Sequence, residues 1–241
     1  MMSAMTKTLT EITREKVRSP APVLNTYTLF WIFLSTSFFG AVLETVFMLL
    51  TRGELQNRSG LLYGQMSLVW GLGAVMFTVL FHRLCHRSSL HLFLAGALAG
   101  TVYEYLCSWF QEVCFGANFW DYRHLPLNIN GRVNLAFSLF WGLAALIWVK
   151  WLMPPLCQAI GKLPRLPWRG ITAVLAVLLC ADVLLTAGAL SRMDARHNGV
   201  PATTAVQQFL DRRYPDQRLK EHFSNLTYIG TQADRQAAGM D

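Results

Sequence analysis

The stretch TLFWIFLSTSFFGAVLETVFMLL, Thr28–Leu50, decides the class of this protein. Its only ionisable side chain is Glu44, and a helix needs about 20 mostly apolar residues to cross a hydrocarbon core of roughly 30 Å. Four further runs follow at approximately Met66–Phe81, Leu90–Phe110, Val133–Met153 and Gly170–Leu190. The whole chain agrees, since 241 residues that are 53% hydrophobic and 15% charged, with mean hydropathy +0.32, are too apolar for an ordinary soluble domain. The expected fold is all-α, a polytopic membrane bundle of about five transmembrane helices.

The first run follows a polar leader, and no small-residue cleavage site comes after it, so it reads as a retained helix and not a signal peptide. The organisation expected is a leader over 1–27, a bundle over 28–190 and a polar tail over 191–241. Within the tail, Val206, Phe209 and Leu210, and after Pro215 Leu219, Phe223 and Leu226, repeat at helical spacing. Two short amphipathic helices are expected there. Cys85, Cys107, Cys114, Cys157 and Cys180 lie in or beside apolar runs without CxxC spacing, and read as small hydrophobes.

Basic residues in short loops stay cytoplasmic. Lys7, Arg14, Lys16 and Arg18 in the leader, Arg83 and Arg87 in the second loop, and Lys150, Lys162, Arg165 and Arg169 around the fourth place those segments inside. The first and third loops, with Glu54, Glu112 and Asp121, are then outside, and five spans put the tail outside as well. The net charge of +7 calls for no nucleic acid, because anionic lipid is the natural partner of such loops.

An internal repeat relates the first two spans to the third and fourth. GAVLE (Gly40–Glu44) matches GTVYE (Gly100–Glu104), and SLVWGLGA (Ser67–Ala74) matches SLFWGLAA (Ser138–Ala145). The repeat units are about 28–81 and 90–153. Each has two spans, so both enter the membrane in the same direction and a pseudo-twofold axis along its normal relates them. Thr36, Gly40 and Glu44 share one helical face, as do Gly96, Gly100 and Glu104. Gly96-x-x-x-Gly100 is sufficient for close helix packing. The acids need more, because a charge near the bilayer centre costs about 2.5 kcal/mol or more and normally faces the bundle interior.

Counted along the helices, Glu44, Glu104, Trp70 and Trp141 fall at similar depth in the outer half of the bilayer. The candidate site is therefore an outward-facing polar chamber. Its substrate- or proton-binding candidates are Glu44, Glu104, Trp70 and Trp141, with Asn57 and Arg58 from the first loop and Asp121, Asn130 and Arg132 from the third. Arg132 is expected to reach towards Glu104. For the loop charges the alternative is a solvated interface position.

The strings GAVLE, NRSG (Asn57–Gly60), VYE (Val102–Glu104), FWDY (Phe119–Tyr122), LNINGR (Leu127–Arg132) and SLFWG (Ser138–Gly142) resemble those of the bacterial ABC-transporter type IV proteins, the CmpB-like membrane proteins. The tail LDRRYPD (Leu210–Asp216) is similar too, and the likeness runs over roughly 28–235. Ser59 stands where glycine is usual in that family, and Gln65 where proline is common. The resemblance implies a permease-like plasma-membrane protein of a bacterium.

No Gly-x4-Gly-Lys-Ser/Thr phosphate loop occurs, so a transporter reading needs a separate ATPase subunit or another energy source. The alternative is a membrane enzyme or lipid-modifying protein, with Glu44 or Glu104 as general acid or base and Arg132 on an anionic head group. Neither Gly-x-Ser-x-Gly nor His-Glu-x-x-His is present to support it. A third reading, a non-catalytic scaffold, makes the acids purely structural. His82, His86 and His91 approach metal spacing but lie among loop arginines, so no metal and no cofactor are expected.

Overall fold

The structure, a computed structural model, describes residues 24–84 and 87–229. The leader cations Lys7, Arg14, Lys16 and Arg18, together with Cys85, His86 and the Arg165 side chain, lie outside the described residues.

Helix α1 spans Thr26–Arg52. Asn25 opens it by accepting the Thr28 amide at 2.8 Å, which satisfies one of the donors a helix start leaves unpaired. Helix α2 is Leu68–Phe81, α3 Ser89–Phe115 and α4 Leu135–Ile147. A π turn over Trp148–Leu152 carries α4 into α5, Met153–Gly161. Helix α6 covers Arg165–His197, and α7 (Ala205–Arg213) and α8 (Asp216–His222) are short. Strand β1 (Ala117–Asn118) pairs antiparallel with β4 (Thr227–Tyr228), and β2 (Asn128–Ile129) with β3 (Val133–Asn134).

Among the described residues, four stretches are long and apolar enough to cross a membrane: Thr26–Arg52, Ser89–Phe115, Leu135–Gly161 and Pro167–His197. The chain is thus a polytopic helical membrane protein, but α2, expected as a fifth full span, is short. Its 14 residues rise only about 21 Å. The Ser67 amide donates to the Ser37 carbonyl at 2.9 Å, so α2 starts beside the middle of α1 and the first loop folds back along the remainder.

Irregular backbone at such depth survives only when its polar groups are satisfied inside the protein. Ser59, 2% exposed, does this: its hydroxyl donates to the Gly64 carbonyl at 2.8 Å and accepts the amides of Leu61 and Met66 at 3.2 and 3.3 Å. A glycine at that position has no hydroxyl with which to do the same.

The fourth run was expected to end at Met153, before Pro154 and Pro155, yet it continues to Gly161. A proline lacks an amide donor and crowds the carbonyl four residues back. The π turn opens the helix just ahead of the pair, and the two prolines then occupy the first turn of α5, where no donor is required.

One core, including Ile32, Phe77, Leu92, Trp141, Trp148 and Met153, lies among α1–α5. Helix α6 is tied to α1 by the Trp31 indole, which donates to Thr172 Oγ1 at 3.0 Å and packs edge-on against Trp168. A second core of Leu190, Met193, Leu210, Tyr214, Leu219 and Phe223 joins the far end of α6 to the tail. Arg192 holds Asp211 at 2.8 and 3.0 Å, and Arg196 bridges Asp211 and Asp216. The tail also touches the first loop, through Tyr63–Tyr214 hydroxyls at 2.9 Å and His222 Nε2 to the Leu61 carbonyl at 2.8 Å. It therefore sits on the face of the first and third loops.

Candidate functional site

The site begins with two glycines. A Cβ on Gly40 would collide with the Trp70 side chain, and one on Gly100 with Trp141. Without them each indole lies flat against the neighbouring helix and brings its N–H to the acid one turn further on. Trp70 Nε1 donates to Glu44 Oε1 at 2.5 Å, and Trp141 Nε1 to Glu104 Oε2 at 3.0 Å.

The two acids differ in their second partner. Arg58 Nε donates to Glu44 Oε2 at 3.2 Å, whereas Glu104 Oε1 accepts the Tyr122 hydroxyl at 2.8 Å. Glu104 is 5% exposed and bonded by neutral donors, while Glu44 has a cation. Tyr122 stacks on Phe137 with ring centroids 4.6 Å apart. Burial pushes its phenol up, followed by the charges of Glu104 and Glu44, with Arg58 acting the other way. Tyr122 thus stays a protonated donor, and its hydroxyl feels both acids and the arginine.

Five of the nine residues expected at the site come together: Glu44, Glu104, Arg58, Trp70 and Trp141. The other four have local tasks. Asn57 accepts the Ser59 amide at 3.1 Å and donates to the His222 carbonyl at 3.4 Å. Asp121 accepts the Arg123 amide at 2.9 Å, and Asn130, at φ 53, donates to the Tyr105 hydroxyl at 3.3 Å. Arg132 does not reach Glu104. It pairs with Glu112, donates to the Tyr105 hydroxyl at 3.0 Å and lies 5.2 Å from the centre of that ring. The β2–β3 hairpin turns it to the C-terminal end of α3, two turns beyond Glu104.

Two functional candidates were missed. Tyr122 was visible only within its FWDY motif. Asp182 is the sole Asp or Glu between Gly170 and Leu190, and that isolation in an apolar run was its signal. It accepts the Tyr63 amide at 3.2 Å and the Thr186 hydroxyl at 3.3 Å, which fastens the first loop to α6.

An all-helical chain with apolar helices long enough to cross a membrane defines a multi-pass membrane protein. Residues 31–187 match the family described as Putative ABC-transporter type IV, and the chain belongs to that family. No match was found among curated proteins or among solved structures.

Proposed function

We propose that the chain is the membrane-embedded, permease-like component of a transporter. In this reading Glu44, Glu104, Arg58, Tyr122, Trp70 and Trp141 line the polar chamber that receives the solute or proton. The observation that carries it is Glu104, nearly sealed from solvent and bonded by Tyr122 and Trp141 beside the Glu44–Arg58 pair. A carboxylate at this depth is costly, and apolar side chains commonly replace buried ion pairs without loss of stability, so packing alone gives little reason for two of them. Asn57, Asp121, Asn130 and Arg132 serve by shaping the outer loops.

The matching Gly40–Glu44–Trp70 and Gly100–Glu104–Trp141 contacts support two helix-pair units in parallel about an axis along the membrane normal. The charge pattern supports an N-terminus in the cytoplasm, and the family resemblance supports a bacterial plasma membrane as the site of the bundle. The ABC-transporter type of the family supports a separate ATPase subunit as the energy source, in place of the phosphate loop that this sequence does not carry.

Purification in mild detergent tests the reading. An ATPase subunit should co-purify, and Glu104→Gln should fold normally while losing solute flux in proteoliposomes containing both chains. Full flux in a Glu44→Gln/Glu104→Gln double variant would overturn it, and a bound lipid converted chemically on incubation would put the membrane enzyme in its place.

A further inference from the structure

Outward of Glu104, α3 presents Ser108 and Gln111 on the same face. Ser108 is 1% exposed, and neither its Oγ nor Gln111 Oε1 has a hydrogen-bond partner among the described residues. Asn134, the last residue of β3 and the N-cap of α4, is 2% exposed; its Oδ1 accepts the Phe137 amide at 2.8 Å, but its Nδ2 has no partner among the described residues.

The register of the two helices puts Ser108 and Asn134 at one level. The helices run antiparallel, with Gly96 against Ala145, Gly100 against Trp141, Glu104 bonded to Trp141 and, two turns outward, Glu112 bonded to Arg132. Ser108 lies midway between Glu104 and Glu112, and Asn134 lies between Trp141 and Arg132. Burying a polar group unsatisfied forfeits a hydrogen bond that water would have made, and native proteins rarely leave two such groups at one level.

We infer that Ser108 and Asn134 hold a neutral hydroxyl group between them, one turn outward of Glu104. A hydroxyl accepts from Asn134 Nδ2, exchanges a hydrogen bond with Ser108 Oγ, and turns its own hydrogen to Gln111 Oε1 or Glu104. A cation there would face the Asn134 donor, and an anion would face the Glu104 carboxylate. The hydroxyl is either water or part of a hydroxyl-bearing solute. As a statement about substrate class, the inference rests on the Glu104 cluster being the solute chamber.

The test is the density between the two side chains in an experimental structure of the full chain in lipid nanodiscs, at a resolution that shows water. A peak within hydrogen-bond distance of both Ser108 Oγ and Asn134 Nδ2 is expected, spherical for water and extended for a solute. A direct Ser108–Asn134 bond with nothing between would overturn the inference. Thermal unfolding gives a second reading, because removing a bridged hydroxyl destabilises whereas removing an unsatisfied one does not.

Ser108→Ala should lower Tm by roughly 2 to 4 °C. Asn134→Asp, which keeps the Oδ1 cap but removes the donor, should lower it too. Ser37→Ala is the control, since that hydroxyl is buried against Gly71 in a close helix seam and has no partner among the described residues. An unchanged or raised Tm for Ser108→Ala would count against the site. Flux independent of Glu104, with the density present, defeats the transporter reading alone; missing density with Glu104-dependent flux defeats this one alone.

Discussion

Trp70 and Trp141 meet with ring centroids 6.1 Å apart at a 41° tilt, each with its indole N–H on a different glutamate. The pair links α2 to α4, each ring meeting the other while its own N–H reaches a carboxylate. Tyr103 packs edge-on against Trp141 at 5.9 Å and donates its hydroxyl to the Val69 carbonyl at 2.8 Å, a second tie across the same seam. Strain introduced at one indole therefore reaches the other half of the bundle.

The glycines beneath the indoles give the first prediction. Gly40→Ala or Gly100→Ala places a methyl group inside the volume of Trp70 or Trp141, and overpacking of this kind costs about 1–3 kcal/mol. Both variants should unfold at lower temperature in detergent. Wild-type stability for either would mean that the indole can retreat without loss, and that the close approach is incidental.

The second prediction concerns Arg58. Arg58→Gln leaves the Glu44 carboxylate with Trp70 alone, and stranding one member of a partly buried pair is destabilising, here by about 1–2 kcal/mol since Glu44 keeps some contact with solvent. Adding Glu44→Gln should restore much of the loss. A double variant no more stable than Arg58→Gln would show that the arginine acts through other contacts.

The membrane class and the meeting of Glu44 with Trp70, and of Glu104 with Trp141, were legible because helical periodicity and the repeated strings fix faces and depth together. The partner of Arg132 was not. A tight hairpin decides where residues 130–132 point, and Glu112, eight residues from Glu104, lies on the same face of α3 nearer its C-terminal end. The short α2 was hidden because Met66 and Ser67 continue the apolar run although helix begins only at Leu68. The length of the fourth span was hidden by a π turn that no propensity announces. Tyr122 had no charge and no repeated counterpart to single it out.

The third prediction is a pH window for tail docking. Hydrogen bonding from Arg192 and the neighbouring Arg196 hold the Asp211 carboxyl below the usual carboxylate range. A group with a lowered pKa in the folded state adds stability that is present above its unfolded value of about 3.9 and is lost as pH falls below it. Burial and the hydrogen bond to Tyr63 push Tyr214 up to about 12. A raised pKa has the opposite sense, so that contribution is present below the unfolded value of about 10 and disappears as pH rises towards 12. Limited proteolysis of the segment around α7 and α8 should be slow between these limits and faster on both sides. Asp211→Asn should be cleaved faster at neutral pH and lose the acid limb. A cleavage rate that ignores pH in the parent chain would contradict the docking scheme.

The last prediction separates which face the tail shares from which way the bundle points. The contacts of Tyr214 and His222 with the first loop, the pairing of β4 with β1 and the Asn225 bond to the Phe119 carbonyl at 2.9 Å tie the tail to the same face as Asp121. Single cysteines at Lys220 and Asp121, in a background with the native cysteines replaced, should therefore respond alike to an impermeant thiol reagent applied to intact cells. One at Arg87, at the opposite end of the bundle, should respond differently. The basic loops predict that Lys220 and Asp121 react and Arg87 does not. The reverse pattern would invert the orientation while leaving the fold intact. Reaction at Lys220 together with Arg87 but not Asp121 would break the tail from the first-loop face, and with it the second core.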